Sequence, residues 1–124
     1  MGKNRFFLGV FIVSFLGLCI LFAGCGKSEF KQWKEKGLKV DTPEEKVECF
    51  TKALDCWTEK DGIPEKAKVY TKRGNAFAEK GHYDVAIGDY DRAITLDENC
   101  SEAVNGRANA ATAMDRENYN RSQQ

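Results

Sequence analysis

The sequence predicts an all-α fold of antiparallel helix hairpins stacked in a short array. Apolar residues recur at helical spacing through the chain after residue 41, and helix start and stop signals divide that stretch at short intervals. A four-residue string also repeats: Arg73, Gly74, Asn75 and Ala76 return 34 residues later as Arg107, Ala108, Asn109 and Ala110. No stretch alternates apolar and polar residues as a strand would.

The first element is an address rather than part of the fold. Lys3 and Arg5 precede an uncharged run from Phe6 to Ala23, which ends in the small pair Ala23 and Gly24. These are the basic, apolar and small-residue regions of a secretory signal peptide, so residues 1–24 are assigned to one. The string Leu21, Phe22, Ala23, Gly24, Cys25 resembles the lipobox of bacterial lipoproteins. That resemblance implies cleavage before Cys25 and a covalent acyl lipid on its sulfur as the only non-protein group. Two or three acyl chains, at about 0.8 kcal/mol per buried methylene, anchor stably where one does not. The alternative is an uncleaved anchor, since the apolar run reaches roughly 27 Å as a helix. Gly26 follows the cysteine. Lipoproteins retained at an inner membrane carry Asp there, so the resemblance implies an outer-membrane location facing the periplasm.

Residues 25–41 read as a tether with a short first helix near Glu29–Lys36, its apolar side carrying Phe30 and Trp33. A helical domain is expected over residues 42–116. Thr42, Pro43 and Glu45 form a capping-box start, after which Val47, Phe50, Ala53, Leu54 and Trp57 fall on one face. Gly62 breaks the chain, Pro64 opens the next helix, and Gly81 supplies a left-handed stop near Lys80. A further helix runs from Tyr83 to about Asp97. After a turn at Asn99–Ser101, a last one covers Glu102 to about Arg116, with Ala103, Val104, Ala108, Ala111 and Met114 as its apolar residues. Residues 117–124 are expected to be a polar tail.

From Ala67 to Cys100 the chain resembles the tetratricopeptide repeat, whose period is 34 residues. Tyr70, Gly74 and Phe77 match the first helix of that pattern, and Tyr83, Ala86, Tyr90 and Ala93 the second. Arg73 stands where leucine is commoner, and Glu98 where the family has proline. The resemblance implies a short right-handed solenoid in which Gly74 and Ala86 let two helices approach while Phe77 and Tyr90 fill the space beside them. One full repeat, an irregular one before it and half a repeat after it fall short of the roughly three units that solenoids need. The final helix is therefore read as a cap, the alternative being an alanine-rich face that packs on a second copy or a client.

In that family the first helices of successive repeats line a concave groove. Here the groove would be lined by Lys68, Thr71, Asn75 and Glu79 from one helix and by Glu102, Asn105 and Asn109 from the next, with the amides of Asn75 and Asn109 gripping a peptide backbone.

Other activities find little support. Residues 25–124 carry 17 Lys and Arg against 19 Asp and Glu, a formal charge of −2, which is no footprint for nucleic acid. Cys49 and Cys56 lie two turns apart on one helix, too far for a mutual disulfide and unlike zinc-ligand spacing. Cys56 reads as a buried thiol, with pairing to Cys100 as an alternative. His82 reads as a solvated turn residue, and Asp89 and Asp91 as solvated charge on an outer helix face. No metal site, catalytic residue or phosphate loop emerges. The sequence thus predicts a non-enzymatic, membrane-tethered adaptor or assembly factor of the bacterial envelope. Its partners would be other envelope proteins or peptides, and a homodimer, a cryptic enzyme or a metal-binding lipoprotein are the alternatives.

Overall fold

The Thr42 hydroxyl accepts the Glu45 backbone N–H at 3.4 Å and donates to the Glu45 carboxylate at 3.0 Å, which fixes the start of a helix at Pro43. Ser28 caps the first helix in the same way in a computed structural model that describes residues 28–124. Five helices are present among these residues: α1 Glu29–Gly37, α2 Pro43–Asp55, α3 Ile63–Glu79, α4 Tyr83–Leu96 and α5 Ser101–Ser122, with a 3-10 turn at Glu59–Asp61. The signal segment, the lipobox and Cys25 lie outside the described residues. None of the described helices is long and apolar enough to cross a membrane.

The stop after α3 is a Schellman motif. Gly81 takes φ +77°, its N–H bonds the Ala78 carbonyl at 3.0 Å, and the His82 N–H reaches back to Phe77 at 2.9 Å. The His82 ring then packs edge-on against Phe77. Gly62, at φ +88°, turns the chain into α3 ahead of Pro64.

The helices pack in sequence order as antiparallel hairpins, and the first helices of neighbouring hairpins, α3 and α5, also touch. The fold is all-α and repeat-like. Its core has two clusters on either side of α3. One joins Phe30, Phe50, Ala53 and Val69, with Trp33, Leu54 and Trp57 around them. The other joins Ala86, Tyr90, Ala93, Ala103 and Ala110, with Tyr70, Phe77 and Tyr83 packed against it. Ion pairs tie the first helices together, Lys34 to Glu65 at 2.6 Å and Lys72 to Glu102 at 2.7 Å.

Tyr90 holds the second cluster together. A Cβ at Gly74 would lie 2.9 Å from its ring and one at Gly106 only 2.7 Å, so the tyrosine of α4 fills the room that two glycines leave on α3 and α5. The small residue at Gly74 thus serves the Tyr90 ring, and Gly106, which no repeat signature marks, completes the seat. Gly37 does the same for the Phe50 ring at the other end.

Several boundaries differ from the expectation. The short helix expected near Glu29–Lys36 is α1, and with Phe30 fully buried it belongs to the packed body, which therefore begins before residue 42. The supposed polar tail from residue 117 is helical, because α5 runs on to Ser122. Thirty-four residues after Gly81 stands Asp115, which takes no positive φ, so nothing stops the helix there. Nor are all the expected apolar residues of α5 covered. Ala103 and Ala110 are buried, but Val104 is 46% exposed and Ala108 is exposed. These two stand one repeat after Tyr70 and Gly74, on the face that a second helix covers in the complete hairpin.

Gly106→Ala is expected to lower stability despite the better helix propensity of alanine. Overpacking typically costs about 1–3 kcal/mol against a gain of at most about 1 kcal/mol. Denaturant unfolding measures the net loss, and Gly74→Ala combined with it should fall short of additivity because both methyl groups push one ring.

Candidate binding groove

Between α3 and α5 lies an open groove of about 500 Å³. Its floor is Ala78, Ala110 and Ala113 with the rings of Tyr83 and Tyr90, and Asn75, Glu79 and Asn109 stand at its rims. The helices meet closely because Gly106 has no side chain, and beyond that contact alanines keep the floor low.

The expected groove residues separate into four groups. Glu79 and Asn109 are exposed at the rims, and Glu79 is paired with Lys46 of α2 at 3.2 Å. Lys68 and Asn105 are exposed but do not line the groove, and Lys68 is bonded to Glu65 at 2.7 Å. Thr71 is a correction: it is 1% exposed, donates to the Ala67 carbonyl at 3.0 Å and lies against the Cys100 sulfur. With a core cluster on each side of α3, only a narrow strip of that helix is left for solvent, and Thr71 falls outside it.

Asn75 is at the rim, but its amide is committed. Its Oδ1 accepts the Tyr90 hydroxyl at 2.8 Å, and its Nδ2 donates to Glu102 Oε1 at 2.9 Å. Lys72 donates to the same oxygen, and this hydrogen bond holds the Glu102 carboxyl below its ordinary 4.5, with a smaller contribution from Asn75. Asn75 is therefore not a free amide beside Asn109: it positions Tyr90 and Glu102, while Asn109 is exposed at the rim. Tyr83, matched to the repeat as a packing residue, also forms part of the floor, and Ala78 and Ala113 carry no polar signal that would have pointed to them.

The largest departure from the sequence reading is Asp89. Expected on an outer face, it is 0% exposed and receives both Arg73 Nε at 2.7 Å and Arg73 Nη2 at 2.8 Å. Arg92 adds a third bond at 3.1 Å, and Arg73 Nη1 reaches Thr51 on α2 at 3.1 Å. The Asp89 hydrogen bond is the main reason that the Arg73 pKa is raised. Arginine in the leucine position of the repeat was the available signal: an unpaired guanidinium does not stay in a core, so an acid had to face it. Asp91, by contrast, is an exposed partner of Arg107.

The thiols of Cys49, Cys56 and Cys100 are free. Cys49 is the buried one. Cys56 is half-buried, sits at the end of α2 and donates to Glu29 at 3.4 Å, whereas Cys100 contacts Thr71, so the alternative of a Cys56–Cys100 disulfide is not what the fold contains. Burial, and then Glu29, push the Cys56 thiol up, away from the reactive thiolate. Among the described residues, no three His, Cys, Asp or Glu side chains are grouped to hold a metal ion.

Residues 67–100 match the family model of the tetratricopeptide repeat. The matched span is α3, α4 and the turn that follows, so it contains the Gly74–Tyr90 contact and one wall of the groove. No curated protein and no solved structure matches the chain. Tetratricopeptide repeats are typically protein-interaction modules, so the matched span points to protein binding in general.

Arg73→Leu, which restores the residue commoner in the repeat, is expected to destabilise by about 3 kcal/mol because it leaves the buried carboxylate with only the exposed Arg92 as a charged partner. Arg73→Leu with Asp89→Ala should recover most of that loss in equilibrium unfolding. Tyr90 makes a second test possible. Burial, and then the Glu102 charge, raise its phenol from 10.0 to about 12. The folded state thus favours the neutral phenol, so this stabilisation is complete below pH 10 and is lost as the pH rises towards about 12. Unfolding across that range should show the loss, and Tyr90→Phe should flatten it.

Proposed function

We propose that this chain is a membrane-tethered adaptor or assembly factor of the bacterial envelope, held by acyl lipid on Cys25 and working by binding a segment of another protein in the groove between α3 and α5. The observation that carries the reading is the groove itself. An apolar floor with Glu79 and Asn109 at its rims offers contact area to a helix or extended segment and leaves polar groups to fix its register. The matched repeat supports protein binding in general. The tether rests on the lipobox string ending at Cys25, and the outer membrane facing the periplasm is the location that Gly26 favours.

The uncovered face of α5 favours a second reading. Val104 and Ala108 lack the helix that covers their counterparts Tyr70 and Gly74, so a second copy or a client helix would bury them.

A photoreactive residue at Asn109 in membranes of the native host should capture a protein, and Ala113→Arg, which fills the floor, should weaken that capture about tenfold, or ~1.4 kcal/mol. Capture from Ala108 with none from Asn109 transfers the function to the end face, and a captured second copy identifies a dimer. Cys25→Ser should release the chain from the membrane fraction, and a variant that stays bound overturns the lipid tether.

A further inference from the structure

The start of α1 is fastened to the loop between α2 and α3. The Ser28 hydroxyl donates to Asp61 Oδ1 at 2.6 Å, and Asp61 Oδ2 accepts the Thr58 N–H at 3.0 Å and the Thr58 hydroxyl at 2.9 Å. The Ser28 bond is the first cause of the low Asp61 pKa, so the carboxylate that holds the chain stays charged. Cys25 precedes Ser28 by three residues. Three residues span at most about 11 Å when fully extended. The headgroup layer on one side of a bilayer takes up about 5–8 Å of that. An acylated Cys25 therefore leaves only a few ångströms between Ser28 and the membrane surface, less than the width of one helix.

We infer that the end of the body formed by the start of α1 and the Trp57–Pro64 loop rests on lipid headgroups, with Ile63 at the contact. This rests on the acylation of Cys25 proposed above. The surface at this end suits the position. Ile63 is 52% exposed, although it is a large apolar residue beside a solvated turn. Trp57 is half-buried, its indole N–H donates to the Gly62 carbonyl at 3.1 Å, and Lys66 lies over its ring at 3.9 Å from the centroid. An indole and lysine stems between an apolar core and a polar boundary are the side chains that headgroup regions accommodate. Exposed Lys31 and Lys60 are balanced by exposed Glu29 and Glu59, so the contact is set by the short tether and Ile63 rather than by attraction to anionic lipid. α3 begins at this end, and Glu79 lies 16 residues after Ile63, roughly 24 Å along the helix. The groove is thereby held away from the surface, open to a partner from the aqueous side.

The test uses the full acylated chain in vesicles of phosphatidylethanolamine and phosphatidylglycerol with brominated acyl chains. Ile63→Trp and Tyr119→Trp each add an indole at an exposed site, one at the loop and one far along α5, where Tyr119 is 66% exposed. The emission added by Ile63→Trp should fall about twofold, since a surface-seated side chain reaches the acyl boundary, and that added by Tyr119→Trp should not. Circular dichroism confirms that both variants keep the helical fold. A flexible insert of about twenty residues after Lys27 should abolish the quenching while the chain stays on the vesicles. An unquenched indole at 63 in an acylated, vesicle-bound chain overturns the orientation and leaves the anchor standing. Quenching that survives the insert overturns the role of the short tether. A chain whose mass shows no acyl group at Cys25 overturns the anchor and this inference with it.

Discussion

The Tyr90 ring, seated between Gly74 and Gly106, is the contact on which the rest of the repeat body depends. An aromatic side chain of that size requires two flanking helices that approach without Cβ atoms, and that requirement sets the spacing of α3, α4 and α5 together. Its hydroxyl continues the restraint in polar terms, because Asn75 accepts it and passes the connection to Glu102, and Lys72 closes the chain from α3. Steric fit and a satisfied polar network therefore act on the same three helices. The groove inherits its shape from them, since its floor begins where the Gly106 contact ends.

A second restraint acts across α2, α3 and α4. Arg73 and Asp89 are joined through two parallel hydrogen bonds, and Arg73 extends to Thr51. Buried ion pairs contribute little net stability over a well-packed apolar pair, so their value lies in geometry. An apolar leucine at position 73 would tolerate small shifts of α4 along α3, whereas the bidentate pair allows one register. In a chain with a single complete repeat, few neighbouring units are available to correct such a slip.

The two ends of the array are finished differently. At one, Phe30 closes the core beneath α1, and Ser28 and Lys34 fasten that helix to the loop and to α3. At the other, no described helix covers the outer face of α5, whose residues become mostly polar towards Ser122 while Val104 and Tyr119 remain exposed.

The sequence by itself determined the helices and their sharpest boundaries, because Thr42–Pro43, Gly62–Pro64 and Gly81 act through local hydrogen bonds and φ preferences that need no tertiary partner. It also determined the repeat, since a 34-residue displacement is a property of the chain alone. Which side chains are buried is a different kind of fact. Thr71 and Asp89 are polar residues that composition places at the surface, yet packing on both sides of α3 buries the one, and Arg73 draws the other inward. Gly106 carries no marker of its role until the Tyr90 ring arrives from α4, and Asn75 is available to a ligand until Tyr90 and Glu102 claim it. The tertiary structure decided these positions because each depends on a partner 15 to 29 residues away in sequence, where local spacing carries no information about contact.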